Sequence, residues 1–251
     1  MNLIVDLNAD LGEGSGHDEE LFELISSANV ATGFHAGDSE TMHAAVIAAK
    51  KHGVAVGAHP SFFDRENFGR KELTVNDQEV FDAVAYQLGI FQAIAAAAGL
   101  QPNHVKPHGA LYNMAVRDNK LADAITRAIE SVDRKLILFA PDNTELARAG
   151  EAHGLQVARE IFADRNYLND GWLVPRTRPD ALLRDPKGAA QRVLRMLREG
   201  KVRSVEGRDI DVRGETVCVH GDTPGAVEFA RELRSQLEQE GVRIRAPQSL
   251  L

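Results

Sequence analysis

Lys106 and His108 stand two positions apart in His104-Val-Lys-Pro-His-Gly-Ala-Leu-Tyr-Asn113, where a short apolar run meets Pro107 and breaks. An amine and an imidazole beside a sheet core are costly to bury, and they are retained where acid–base or anion-holding chemistry needs them. The same plan recurs: a short apolar run, a polar cluster with Gly, then a helical segment. Taken in order, the first run ends in Asp6, Asn8, Asp10 and Glu13, the second in His35 and Asp38, and the third in His59. After Lys106 and His108 come Asp164 with Arg165, and finally His220 with Asp222. Four of nine histidines therefore fall at strand ends, whereas His17, His43, His52, His104 and His153 fall mainly on helices or in flanking turns.

Each of these residues also has a plain structural explanation. A lone His near a strand end is commonly a hydrogen-bonded structural residue, and Asp6 inside an apolar strand could anchor a buried network. Convergence is what favours a site. Two chemistries suit the set. His and Asp side chains could hold a divalent ion that activates water. Alternatively a carboxylate or His serves as general base while Lys106 and Arg165 stabilise an oxyanion or phosphate. There is no HExxH-like spacing, and the residues leave both chemistries open. No GxxxxGK[ST] loop is present, which excludes ordinary P-loop binding of ATP. Gly-rich turns at Gly33–Asp38 and Gly221–Thr223 could offer amides to an anion, a weak signal before any helix.

The elements that must position these groups are legible from pattern. Leu3–Leu7, Ala28–Ala31, Val54–Ala58, His104–Lys106, Leu136–Phe139, Gln156–Glu160 and Thr216–Val219 read as seven short buried strands. A first helix is expected from His17 to Ser27. The next is capped by Asp38 or Ser39 and stopped by Gly53. Asn76 with Glu79 forms a capping-box pattern ahead of Val80, Phe81, Val84, Leu88, Phe91 and Ile94 at helical spacing. Helices are also expected from Asn119, from an Asp142 cap, from Asp185-Pro186, and from a Thr223-Pro224 cap. Val202–Gly214 alternates like a hairpin. The long stretch after Arg165 carries Trp172, Leu173 and Val174, as an ordered functional loop would.

Strands alternating with helices imply a parallel sheet with helical crossovers. Without a dinucleotide fingerprint after the first strand, a closed or distorted (β/α) barrel over residues 1–251, as one domain, is the expected α/β fold. Such a barrel gathers its strand ends at one mouth. The chain has 251 residues and a formal net charge of −8, which argues against a nucleic-acid partner. A single cysteine, Cys218, rules out a disulfide framework; it reads as a small buried residue and suits a reducing cytoplasm. No signal-peptide pattern opens the sequence, and no apolar run approaches the ~20 residues of a membrane span.

Six segments together resemble the LamB/YcsF family, which provides the A subunit of the prokaryotic ATP-dependent 5-oxoprolinase. They are Asp6-Leu-Asn-Ala-Asp-Leu-Gly-Glu13, Asn29-Val-Ala-Thr-Gly-Phe-His-Ala-Gly-Asp38, Gly57-Ala-His-Pro-Ser61, His104 to Asn113, Glu160-Ile-Phe-Ala-Asp-Arg165 and Val219-His-Gly-Asp222. The resemblance implies a distorted barrel of about seven strands, related to glycoside hydrolases and polysaccharide deacetylases. It implies cleavage of 5-oxo-L-proline to L-glutamate coupled to ATP hydrolysis, in complex with B and C subunits. Carried over by position, it marks Asp6, Asn8, Glu13, His35, His59, Lys106, His108, Asp164, Arg165 and His220 as catalytic, with Asp10 and Arg176 binding substrate. Within that set Asp6 or Glu13 is expected as acid/base. His35, His59 and His108 are expected to polarise or hold a metal, and Lys106 with Arg165 to face anionic oxygens. At Thr32 the sequence departs from a family pattern that often has Cys. The alternatives are a metal-dependent amidohydrolase or deacetylase that needs no ATP, and a non-catalytic binding subunit.

Overall fold

The computed structural model describes residues 3–220 and 225–248, so Asp222 and the expected Thr223-Pro224 cap lie outside the described residues. Six parallel strands pair in sequence order: β1 (Ile4–Leu11), β2 (Ser27–Ala31), β3 (Ala55–His59), β4 (His104–Val105), β5 (Ile137–Ala140) and β6 (Val157–Phe162). An antiparallel hairpin, β7 (Lys201–Arg203) with β8 (Asp209–Asp211), follows as expected. β9 (Thr216–Val219) then pairs with β6 on one side and β1 on the other, closing a seven-stranded parallel barrel. A two-residue strand, β10 (Arg243–Ile244), adds in parallel to the start of β1. Helices α1 (Asp18–Phe22), α2 (Ser39–His52), α3 (Asp77–Ala97), α4 (Gly109–Ala115), α5 (Asn119–Val132), α6 (Glu145–Ala152), α7 (Pro186–Glu199) and α8 (Ala226–Gln239) connect the strands.

Local chemistry sets most helix ends. The Asp38 carboxylate accepts from the Thr41 amide and Gly53 ends α2 in the left-handed conformation. Asn76 and Glu79 cap α3 reciprocally, and Asp185 with Pro186 starts α7. Three expectations are corrected. α1 is five residues, not eleven, because Ser26 and Ser27 turn inward to hydrogen-bond Asp6. Thr144 caps α6 in place of Asp142: its hydroxyl accepts from the Ala147 amide. Finally, α3 has 21 residues and is long and apolar enough, by length and composition alone, to cross a bilayer. Here it packs beside α2 and α5, and Gln87 at its centre is tied to the Ser61 backbone.

Alternation along each strand separates two environments. Leu7, Ala9, Val30, Val56, Ala58, Val105, Leu138, Ile161, Val217 and Val219 pack with the helices in the main apolar core. Their neighbours face the barrel interior, usually a place for Val, Ile and Leu. In this barrel the interior carries Asp6, Asn8, Asp10, Asn29, His59, His104, Lys106 and Glu160, all below a tenth exposed. Among the described residues, only Ile137, Phe139 and Ala158 form a separate apolar cluster there.

Gly57 makes room for this filling. A Cβ at that position would lie 2.2 Å from His104 Cδ2. The His104 ring cannot retreat, being stacked on Phe139 with centroids 4.2 Å apart and held at Asn29 Oδ1 by a 2.8 Å contact from Nε2. Gly57→Ala is therefore expected to cost about 3 kcal/mol by overpacking. In a thermal melt this should appear as a fall in Tm of roughly 6–12 °C. An unchanged Tm would show that the His104 ring is free to move.

Candidate active site

Polar side chains fill the barrel in three tiers. Lowest is Asp6, whose Oδ1 accepts from Ser26 and Ser27 hydroxyls at 2.6 and 2.8 Å and whose Oδ2 accepts from Thr216 at 2.6 Å. Burial, the largest influence, pushes its pKa up to about 6 against these hydrogen bonds. Above it, the Asn8 amide donates to Thr216 Oγ1 at 2.6 Å and Glu160 Oε1 at 3.2 Å, while Asn8 Oδ1 accepts from Asn29 at 2.7 Å. Tyr112, from α4, donates its hydroxyl to Glu160 Oε2 at 2.6 Å.

Lys106 links this tier to the mouth. Its ammonium lies 2.9 Å from Asp10 Oδ1, 3.1 Å from Glu160 Oε1 and 3.0 Å from Cys218 Sγ. Burial would strip its proton, yet the carboxylates of Asp10 and Glu160 outweigh that and hold the amine well above the usual lysine range. Asp10 responds in kind: burial raises it, but His59 and Lys106 carry it well below the usual carboxylate range. Burial, despite Lys106 nearby, pushes the Cys218 thiol well up, so it is a protonated neighbour and not a nucleophile.

The mouth is a cavity of about 740 Å³ lined by Asp10, Glu13, His59, Lys106, His108, Arg165, Arg176 and His220, among others. Glu13 Oε1 sits between three imidazoles, 3.0 Å from His35 Nε2, 3.3 Å from His108 Nδ1 and 3.8 Å from His59 Nε2. Burial, reinforced by neighbouring His59, keeps His35 neutral, with a pKa lowered to about 2. Burial with His59 and His35 likewise holds His108 well below the usual histidine range. Opposite, His220 Nδ1 contacts both Asp164 oxygens at 2.9 Å and its ring stacks on Phe162. Burial raises Asp164, but His220 and Arg165 reverse the shift and keep it ionised.

Two loops complete the rim. Residues 64–70 are latched by Gly109, where a Cβ would lie 2.4 Å from Gly69 O, and by His108 Nε2, which donates to Phe68 O at 2.9 Å. The long loop after β6 is ordered, as expected: Arg192 of α7 donates to Ala163 O and Arg165 O, and Arg165 donates to Val174 O at 2.7 Å. Trp172, Leu173, Pro175 and Arg176 of this loop face the cavity.

The expected groups are therefore brought together, but not all at the cavity. Asp6 and Asn8 lie beneath it, and His35 and Asp164 stand behind Glu13 and His220. Asp38 is a helix cap with its carboxylate committed to the Thr41 amide. His104 is not on a helix or turn but inside the barrel, at Asn29. Glu160, Asn29, Tyr112 and Arg70 join the site without having been expected there. For the first two, a polar side chain at an inward position of an apolar strand is the available signal; Tyr112 has none beyond its segment, and Arg70, which lines the cavity, lies in none of the six segments.

Residues 5–251 match the LamB/YcsF family. The chain belongs to that family. It is 46% identical, over 96% of both chains, to the Bacillus subtilis protein named as the A subunit of 5-oxoprolinase. It is also 46% identical to the lactam utilization protein of Thermus thermophilus, with a TM-score of 0.91 over 98% of this chain and 100% of that one. A polysaccharide deacetylase from Bacillus cereus shares the fold alone, with a TM-score of 0.52 and 13% identity over 99% of this chain and 97% of that one. The departure from the LamB/YcsF pattern at Thr32 falls away from the cavity: this buried hydroxyl donates to Gln87 Oε1 at 2.8 Å, toward α3.

A carboxyl with a raised folded-state pKa binds its proton more tightly folded than unfolded, so its contribution is greatest below about pH 4 and is lost as pH rises through about 6. Asp6→Asn removes that titration. Relative to this variant, the wild type should lose about 3 kcal/mol of unfolding free energy between pH 4 and pH 7. Chemical denaturation of both proteins across that range checks it, and parallel curves would exclude Asp6 as the titrating group.

Proposed function

We propose that this chain is the A subunit of an ATP-dependent 5-oxoprolinase, an enzyme that opens the lactam of 5-oxo-L-proline to give L-glutamate. The observation that carries this reading is the 46% identity, along nearly the full length of both chains, to a protein of that name. One barrel with an uninterrupted core supports reading residues 1–251 as a single domain. The subunit designation supports assembly with B and C subunits, and the single free cysteine suits a cytoplasmic complex.

The site fits such a reaction. An unstrained lactam carbonyl is a poor electrophile, and phosphorylation by ATP turns its oxygen into a leaving group. Cations at the mouth, Lys106, Arg165 and Arg176, suit a small carboxylate substrate and the phosphoryl oxygens. Glu13, which lines the cavity among imidazoles, is the acid/base candidate beside the position of attacking water. Asp10 faces substrate while holding Lys106 charged. Asp164 orients His220, and Asp6 and Asn8 fix the tier below.

Coexpression with the B and C subunits, followed by assay of glutamate released from 5-oxoproline with and without ATP, tests the proposal. Release should require ATP. Arg176→Ala and Glu13→Gln should lower kcat/KM by about 10²-fold or more while the complex still assembles, the size typical of a lost charge-stabilising or proton-transfer group. ATP-independent release would favour the amidohydrolase reading. An assembly that stays fully active with both variants would leave this chain a binding component only.

A further inference from the structure

Two histidines in this barrel face each other with the wrong tautomers for a neutral pair. His59 Nδ1 lies 2.6 Å from Lys106 O, and a carbonyl can only accept, so Nδ1 carries the hydrogen. His108 Nε2 lies 2.9 Å from Phe68 O and is fixed as a donor in the same way. In neutral rings the remaining nitrogens, His59 Nε2 and His108 Nδ1, are then both bare lone pairs, yet they stand only 2.9 Å apart. Two acceptors at that separation repel unless a cation sits between them. Glu13 Oε1 closes the triangle, 3.3 Å from one nitrogen and 3.8 Å from the other.

We infer that Glu13 Oε1, His59 Nε2 and His108 Nδ1 form a binding site for a divalent transition-metal ion of the zinc or cobalt type. The three edges bracket the separation of about 3.4 Å expected between donors bonded at ~2.1 Å around a tetrahedral ion. Each imidazole donates its far N–H to a backbone carbonyl, the arrangement that fixes the ring and tautomer of a metal-bound histidine. All three residues line the cavity, which leaves the fourth position open to solvent or a small oxygen ligand. Asp10 Oδ2, 3.4 Å from His59 Nε2, adds negative charge on the same side.

His35 has a different part. Its ring stacks on His108 at 3.8 Å with planes 7° apart, so an ion in the plane of His108 lies out of the plane of His35. Its Nε2 is 3.0 Å from Glu13 Oε1, and its Nδ1 is buried with no partner, as expected for the tautomer that donates from Nε2. His35 is thus a positioning residue for the Glu13 carboxylate. A second convergence, of Asp10, Cys218 and His220, already has the Lys106 ammonium against Asp10 and Cys218 and needs no ion.

The test is metal binding by the isolated full chain, read without any enzymatic assay, so its result stands apart from the 5-oxoprolinase reading. After removal of metal by a chelator, Co²⁺ is titrated at neutral pH and followed by visible absorption, with Zn²⁺ as competitor. One equivalent of Co²⁺ should bind per chain, with the bands of a four- or five-coordinate ion, and Zn²⁺ should displace it. Glu13→Gln and His108→Gln should each weaken binding by at least about 100-fold, and His35→Gln by about 10–100-fold, as for loss of a partner behind a ligand. His153→Ala, at the surface pair with Asp123 and Glu130, should bind as the wild type does. Circular dichroism establishes folding of each variant; should one fail to fold, the other ligand variant carries the comparison. Absence of a one-to-one site in the wild type would overturn the inference and leave a shared proton as the cation, and so would wild-type affinity in folded Glu13→Gln or His108→Gln.

Discussion

The Lys106 ammonium is the contact on which the barrel interior depends. It is held at once by Asp10 of β1, Glu160 of β6 and Cys218 of β9, so a single cation ties strands from opposite sides of the ring. Breaking a buried pair by removing one partner typically costs about 3–5 kcal/mol, because the remaining charge is left without compensation. Every neighbouring choice follows from that. Glu160 needs the Tyr112 hydroxyl for its second oxygen, Asp10 needs Asn29 and His59, and Asn29 in turn needs His104. Gly57 is then required so that the His104 ring has somewhere to lie.

The barrel was legible in the sequence because its outward-facing residues are ordinary. Seven apolar runs alternating with helical segments, several of which open on recognisable caps, specify parallel pairing without knowledge of what fills the centre. The site was legible only in outline. Asp6 falls within the expected strand Leu3–Leu7, whereas Asn8 and Asp10 read as a polar cluster that follows it. Asn8 and Asp10 instead extend β1 to Leu11, and the period of two places them with Asp6 on three separate levels of the interior. That is why Asp6 was expected at the mouth and lies at the base. His104 gives no local sign of its role either: its neighbour Val105 is apolar and its partners Asn29 and Phe139 are distant in sequence.

The split of roles between tiers is electrostatic. At the base, burial alone dominates and Asp6 is pushed toward protonation, whereas at the mouth nearby charges of opposite sign reverse the effect of burial on Asp10 and Asp164. The lower tier holds its shape through hydroxyl and amide hydrogen bonds, and the upper tier keeps its carboxylates ionised against a cavity of about 740 Å³. A rigid, satisfied base beneath a charged rim lets the rim bear groups that would otherwise repel one another.

The seam between β1 and β9 has a consequence for biosynthesis. Asp6 and Asn8 reach Thr216, some two hundred residues later, for hydrogen bonds that nothing earlier in the chain replaces. Because a ribosome delivers the chain from its N-terminus at about 5–20 residues per second, β1 must wait roughly ten seconds or more for β9, the neighbour that closes the ring. Until then the nascent barrel is an open trough whose inner wall is wet, and that wetness is tolerable because the wall is polar rather than oily. A polar lumen therefore protects the unfinished protein from the sticky exposure that an aliphatic barrel would suffer on the way out.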